Sequence, residues 1–145
     1  MKSAIVYFSS TGNTEAMAKA IAETAAGADL IEVSSISADE VLAYDAVAFG
    51  CSAMGDEELD DADMEPMIEA LEEKGMSGKK VALFGSYDWG DGEWMRKWYD
   101  RMQKAGAEMI QSEGLIANLE PDDDAIAACK ELGAQLVYFK RKRVS

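Results

Sequence analysis

A chain of 145 residues that is 48% hydrophobic and 29% charged, with only 2 prolines and 12 glycines, has the size and composition of one globular domain spanning residues 1–145, not of a disordered or fibrous protein. Its 28 acidic residues against 14 basic ones leave a net charge of -14, and no Lys or Arg occurs between Lys19 and Lys74, a field that repels nucleic acid and steers in a partner with a basic docking face, although a plain solubility surface would look the same. There is no histidine, and the 2 cysteines, Cys51 and Cys129, have no metal-ligand spacing, so zinc sites and Ser-His or Cys-His catalysis are excluded.

The start, Met1 to Phe8, is too short for a signal sequence or a membrane span, which leads us to expect a cytoplasmic monomer with no membrane contact. Within it, Ala4-Ile5-Val6-Tyr7-Phe8 reads as a buried strand, and Ser9 to Thr14 follows as a polar turn. From Asn13 to Ala26, the residues Met17, Ala18, Ile21 and Ala25 recur at three- and four-residue spacings, which predicts a helix packed on one side and closed by Gly27. Asp29 to Val33 reads as a second strand and Ala38 to Leu42 as a brief helical connection. Ala46 to Gly50 is a third strand, apolar on both faces as strands inside parallel sheets are.

After a polar, acidic loop over 51–61, Met64, Met67, Ile68 and Leu71 predict a helix ending near Gly75, and Val81 to Gly85 a fourth strand. A helix from about Gly92 to Lys104 carries Trp94 and Trp98, four apart and expected to pack inward. A fifth strand is expected near Glu108 to Gln111, interrupted and resumed at Leu115 to Ala117. The last helix runs from Asp122 to Phe139, opened by Pro121 and three acids, and the basic run Lys140-Arg141-Lys142-Arg143 suits the negative end of its dipole. Five strands alternating with helices predict a three-layer α/β fold, because right-handed crossovers place helices on both faces of a parallel sheet.

Ligands of open parallel sheets bind beyond the carboxyl ends of the strands, so three loops are candidates. Ser9-Ser10-Thr11-Gly12-Asn13-Thr14 looks like a phosphate cradle: amides at a helix N-terminus point outward and the hydroxyls donate further bonds, so a dianion can be held without lysine. It is neither GxxxxGK[ST] nor GxGxxG, which argues against nucleoside triphosphates and dinucleotides. Such clusters also cap helices for structural reasons, and this segment alone does not choose. In Cys51-Ser52-Ala53-Met54-Gly55-Asp56-Glu57-Glu58, the thioether of Met54 suits an aromatic ring and Gly55 lets its peptide plane rotate cheaply, although Met-Gly is often a simple turn. In Gly85-Ser86-Tyr87-Asp88-Trp89-Gly90-Asp91-Gly92, a tryptophan flanked by glycines wastes a large apolar surface unless a flat ring stacks on it.

Together, Ser9 to Thr14, Gly50-Cys51-Ser52-Ala53-Met54-Gly55-Asp56-Glu57-Glu58-Leu59 and Phe84-Gly85-Ser86-Tyr87-Asp88-Trp89-Gly90-Asp91-Gly92-Glu93-Trp94-Met95 resemble the short-chain flavodoxins of anaerobic bacteria in order and spacing, over nearly the whole chain. That resemblance implies a five-stranded parallel sheet of order 2-1-3-4-5 and non-covalently bound flavin mononucleotide (FMN). Flavodoxin is itself a worked instance of the sheet-edge rule, so the placement of FMN between the first and third strands comes from the family. Residues 9–14 would hold the phosphate, Met54 and Trp89 the two ring faces, and Glu57 the N3 edge. Ser52, Ala53, Gly55, Asp56, Ser86, Tyr87, Asp88 and Gly90 complete the cofactor-binding set. The implied function is a low-potential one-electron carrier, not an enzyme, that shuttles between semiquinone and hydroquinone and passes electrons to basic-faced redox proteins. A flip of the Gly55-Asp56 peptide would present a carbonyl to the semiquinone N5–H.

Two residues depart from the family. Asp88 stands where these flavodoxins usually have Gly; Asp tolerates a left-handed turn but adds a carboxylate close to the ring. Ser10, where relatives often carry Gly, is a milder change. Seven acids crowd residues 56–65 with none compensated nearby in sequence. At about 8 Å and an effective dielectric near 20, one carboxylate repels an anionic flavin by roughly 2 kcal/mol, less if exposed. With about 59 mV per 1.4 kcal/mol, each would lower the second potential by tens of millivolts.

Other readings fit less well. A response-regulator receiver has the same sheet but needs an acidic pair after strand one and an Asp ending strand three, where Ser9-Ser10 and Gly50-Cys51 stand. An FMN-dependent quinone or nitro reductase using NAD(P)H would need a second nucleotide loop. A ligand-free interaction module would be colourless.

Overall fold

The computed structural model describes residues 2–55 and 58–144, with side chains as far as Val137. In chain order the elements are β1 (Ser3–Phe8), α1 (Asn13–Thr24), β2 (Asp29–Glu32), a 3-10 turn (Val33–Ser35), α2 (Ala38–Val41), β3 (Ala46–Cys51), α3 (Met64–Lys74), β4 (Lys80–Tyr87), α4 (Glu93–Lys104), β5 (Glu108–Met109), β6 (Leu115–Asn118) and α5 (Asp123–Val144). All strand pairings are parallel, in the expected order β2-β1-β3-β4-β5, with β6 also on β4. The order reverses at β1, where Val6 lies opposite Ile31 on one side and Phe49 on the other.

Alternation along each strand feeds two cores, because successive side chains point to opposite faces. Ala4, Val6, Val47, Phe49, Val81 and Leu83 pack with Met64, Ile68 and Leu71 of α3 and with Trp94, Trp98 and Met102 of α4. Ile5, Tyr7, Ala46, Ala48, Ala82 and Phe84 pack with Met17 and Ile21 of α1 and with Leu132 and Leu136 of α5. Trp94 and Trp98 are buried, as their spacing predicts.

The expected fifth strand is two short ones sharing one edge of β4: Glu108 and Met109 face Lys80 and Val81, and Leu115 to Asn118 face Phe84 to Tyr87. Between them a side chain takes over the ladder. Leu83 N donates to Gln111 Oε1 at 2.8 Å, which satisfies the buried amide while residues 111–114 leave the sheet, Ile110 N still donating to Val81 O at 2.9 Å. Tyr99 of α4 donates to the carbonyl of Gln111 and holds that departure in place. The strand β4 runs on to Tyr87, so Ser86 and Tyr87 stand on a strand end and not in a free loop. Helix α5 continues past Phe139 through Lys140–Arg143, because Lys and Arg are good helix formers and the run itself contains no Gly or Pro.

Candidate functional site

The carboxyl ends of β1, β3 and β4 lie side by side, and the three candidate loops meet there. Thr14, in the first turn of α1, is fully buried. Its Oγ1 lies 2.8 Å from the Ser52 hydroxyl just beyond β3 and 2.8 Å from the Ser86 hydroxyl on β4, and it accepts the Ser86 amide at 3.2 Å. Ala53 N donates to Ser86 O at 2.9 Å. Each loop thus contributes one hydroxyl to one buried cluster. The Ser86 amide occupies one acceptor site of Thr14, so at most one serine hydroxyl donates to Thr14, which donates to the other; that serine keeps a proton for a further acceptor.

Ahead of the cluster the chain turns at Gly12, whose φ of 94° lies in the left-handed region open to glycine. Ser9 Oγ accepts from Gly12 N at 3.0 Å and from Glu15 N at 3.1 Å, fixing the turn on the end of α1. Ser10, Thr11 and Gly12 are exposed and Asn13 is half-buried. Asn13 and Thr14 are the first residues of α1, whose amides lack intrahelical acceptors. Outward first-turn amides, uncharged hydroxyls and the spare proton of the cluster form a donor set that fits a phosphate, with no cation needed. The Glu15 carboxylate is engaged by Tyr7 Oη at 3.3 Å and Lys19 Nζ at 3.6 Å. Burial first, and then the charges of Glu15 and Glu32, push the Tyr7 phenol above its ordinary value and keep it a donor.

On the other side, Met54 and Glu58 form an isolated antiparallel bridge, each amide donating to the other's carbonyl at 2.8 Å. Gly55, next to the bridge, sits at φ 52°. Asp56 and Glu57, the expected partners of the ring edge, lie outside the described residues. Past the bridge, Asp60 is buried and its Oδ2 accepts from Asp63 N at 2.8 Å and Met64 N at 3.0 Å, which opens α3. Cys51 is fully buried; its Sγ donates to Ser52 O at 3.4 Å and accepts from Asp60 N at 3.5 Å. Burial pushes its thiol up to about 12, so it packs as a neutral group and is no nucleophile.

The third loop presents Trp89 at 60% exposure, the most exposed large apolar side chain among the described residues. Asp88 is exposed as well, and its φ is not positive, so the turn requires no glycine there. Tyr87 turns its ring toward Trp94, with centroids 5.6 Å apart, and Trp94 Nε1 donates to Cys51 O at 3.3 Å. Gly90 follows at φ 94°.

Two features escaped the sequence. Asn118, at the end of β6, donates from Nδ2 to Tyr87 O at 3.2 Å and to Asp88 O at 3.1 Å. The sheet-edge rule applied to a strand beside β4 could have found it. The acids of 56–65 are also less uniform than their spacing suggests, because α4 brings Arg101 to Glu65, with bonds of 2.9 and 2.7 Å, and to Glu72. With Glu65 paired and Asp60 held by amides, the repulsion felt by an anion is weaker than seven independent carboxylates would give. Among the described residues, no group of three or more His, Cys, Asp or Glu could hold a metal ion, and no helix is long and apolar enough to cross a membrane.

The family model described as Flavodoxin matches residues 5–132. Over 136 residues the chain is 47% identical to a flavodoxin of Clostridium beijerinckii, covering 91% of this chain and 96% of that one. Over 133 residues it is 48% identical to a flavodoxin of Megasphaera elsdenii, covering 89% and 93%. The solution structure of the two-electron reduced Megasphaera elsdenii flavodoxin superimposes with a TM-score of 0.79 at 41% identity, covering 94% of this chain and 98% of that one.

Proposed function

Because this chain belongs to the flavodoxin family, FMN-binding electron carriers rather than enzymes, we propose that residues 9–14, 52–57 and 86–90 together form its FMN site, within one domain of residues 1–145. The observation that carries this reading is the buried Thr14–Ser52–Ser86 cluster, which draws one residue from each of the three segments to a single point. The flavin, when bound, supplies the one-electron redox chemistry. The chain supplies everything around it: the residue 9–14 segment holds the phosphate by amides and neutral hydroxyls, and Met54 and Trp89 cover the ring faces and exclude water from them. The Gly55-Asp56 peptide would offer its carbonyl as an acceptor to a protonated N5, a rotation that glycine at position 55 makes cheap. Glu57 accepts at the N3 edge.

Electrons pass to partner redox proteins. The net charge of -14 supports partners with basic faces, encountered at rates that fall with salt, and we read the chain as a cytoplasmic monomer. No feature of the site favours an FMN-dependent quinone or nitro reductase. Titration of the purified apoprotein with FMN tests the site: the flavin fluorescence should quench at a 1:1 ratio, and NADH added afterwards should not bleach the yellow band. Unquenched fluorescence at excess FMN overturns the reading.

A further inference from the structure

Trp89 sits in an exposed segment. Gly90 and Gly92 both have positive φ, at 94° and 91°, and Asp88, Trp89 and Gly90 are all exposed, so no packing into the core orders the indole. The segment is nevertheless pinned at both ends. At its far end Arg96 donates to Asp91 O at 3.0 Å and to Asp91 Oδ1 at 3.1 Å. At its near end, Asn118 Nδ2 spends its two protons on two successive carbonyls, Tyr87 O and Asp88 O, and Leu119 N adds a 2.7 Å bond to Tyr87 O. Both partners of the Asn118 side chain are carbonyl oxygens, so only the NH₂ end of the carboxamide can face them.

The backbone bears a cost at this spot. Leu119 has φ 58°, the one positive value at a non-glycine residue among the described residues, in a region that leucine ordinarily avoids. Its side chain is 50% exposed, so burial does not demand that conformation. The strained elbow aims the Leu119 amide and the Asn118 side chain back at residues 87 and 88. Strain kept where it serves no core is a pointer to function.

The geometry points to Asn118 as a positioning residue for Trp89: held at its first two carbonyls, the loop presents the indole in a fixed pose, so that a flat ring need not order it on binding. This rests on the reading that Trp89 covers one face of the flavin ring. Pre-ordering of this kind raises affinity by removing an entropic cost of association.

Two variants test it, Asn118→Ala, which deletes the donors, and Asn118→Asp, which keeps the shape but offers acceptors only. In the apoprotein, both should add a fast component to the time-resolved fluorescence anisotropy; Trp94 and Trp98 are buried, so that component reports Trp89. In the holoprotein, both should raise the FMN dissociation constant about five- to twentyfold, the scale of one or two exposed hydrogen bonds. Asn118→Gln, which keeps the carboxamide, should recover part of the loss. In a Trp89→Ala background, Asn118→Ala should weaken binding no further. Unchanged indole motion, or an undiminished loss in that background, overturns the clamp and leaves the ring-face reading intact. If Trp89→Ala alone leaves FMN binding unchanged, the ring-face reading fails, and the positioning role of Asn118 fails with it.

Discussion

Thr14, Ser52 and Ser86 are buried to 4% exposure or less, whereas Trp89, at the same edge of the same sheet, stands 60% exposed. The hydroxyl end of the site is assembled by bonds among its own residues, so it exists before any ligand arrives and contributes to the stability of the fold. The indole end contributes almost nothing to the core and has surface to give to a ligand. On the proposed FMN reading the two ends divide the work: the buried one would anchor the cofactor tail, and the open one would border the ring edge through which electrons cross to a partner. Mutations at the two ends should therefore separate stability from affinity.

The largest effect is expected at the anchor. Thr14→Val removes the hub of the hydroxyl cluster and leaves the buried Ser86 amide without its acceptor, at a cost of about 1–3 kcal/mol. Thermal unfolding of the apoprotein should shift down by roughly 3–8 °C, and FMN should bind more weakly as well; an unaltered melting curve would remove the distinction between the two ends. Trp89→Ala should do the opposite, raising the FMN dissociation constant roughly 10- to 100-fold, or about 1.4–2.8 kcal/mol, with the apoprotein melting temperature moved by no more than about 1 °C. A destabilised Trp89→Ala apoprotein would show that the indole belongs to the fold.

Asp88→Gly probes the charge at the open end. Removing the carboxylate should raise the lower of the two one-electron potentials of the bound flavin by tens of millivolts, with a smaller shift in high salt because Asp88 is exposed. Redox titration at two ionic strengths reads both quantities, and the absence of an upward shift discards the role of Asp88.

The smallest effect lies away from both ends, in the ion pairs that join α3 to α4. The Arg101 hydrogen bond holds the Glu72 carboxyl below its ordinary value of 4.5. Its contribution is therefore complete above that value and disappears as pH falls through the lower, folded-state value. Glu72→Gln should cost at most about 1 kcal/mol at pH 7. Denaturant titrations of the two proteins should converge as the pH falls below that folded-state value, and FMN affinity should not change at neutral pH. A gap that persists in acid would show that the loss is one of packing, not of charge.

Much of this molecule is written locally. The alternation in Ala4 to Phe8 and the three- and four-residue spacing of Met17 and Ile21 report burial through the geometry of strand and helix, so the α/β order follows from the chain read in short windows. The three loop segments are likewise contiguous runs, legible because the chemistry of amides, hydroxyls and an unburied indole is carried by neighbouring residues. What the tertiary structure alone decided is which side chains meet. Thr14 finds partners 38 and 72 residues away, and Arg101 reaches back 36 residues to Glu65. Asn118 closes on carbonyls some 30 residues earlier, and Gln111 replaces a missing rung of the sheet. No periodicity encodes such meetings, because each depends on how distant strands come into register, and a hydrogen bond is made or lost over about half an ångström.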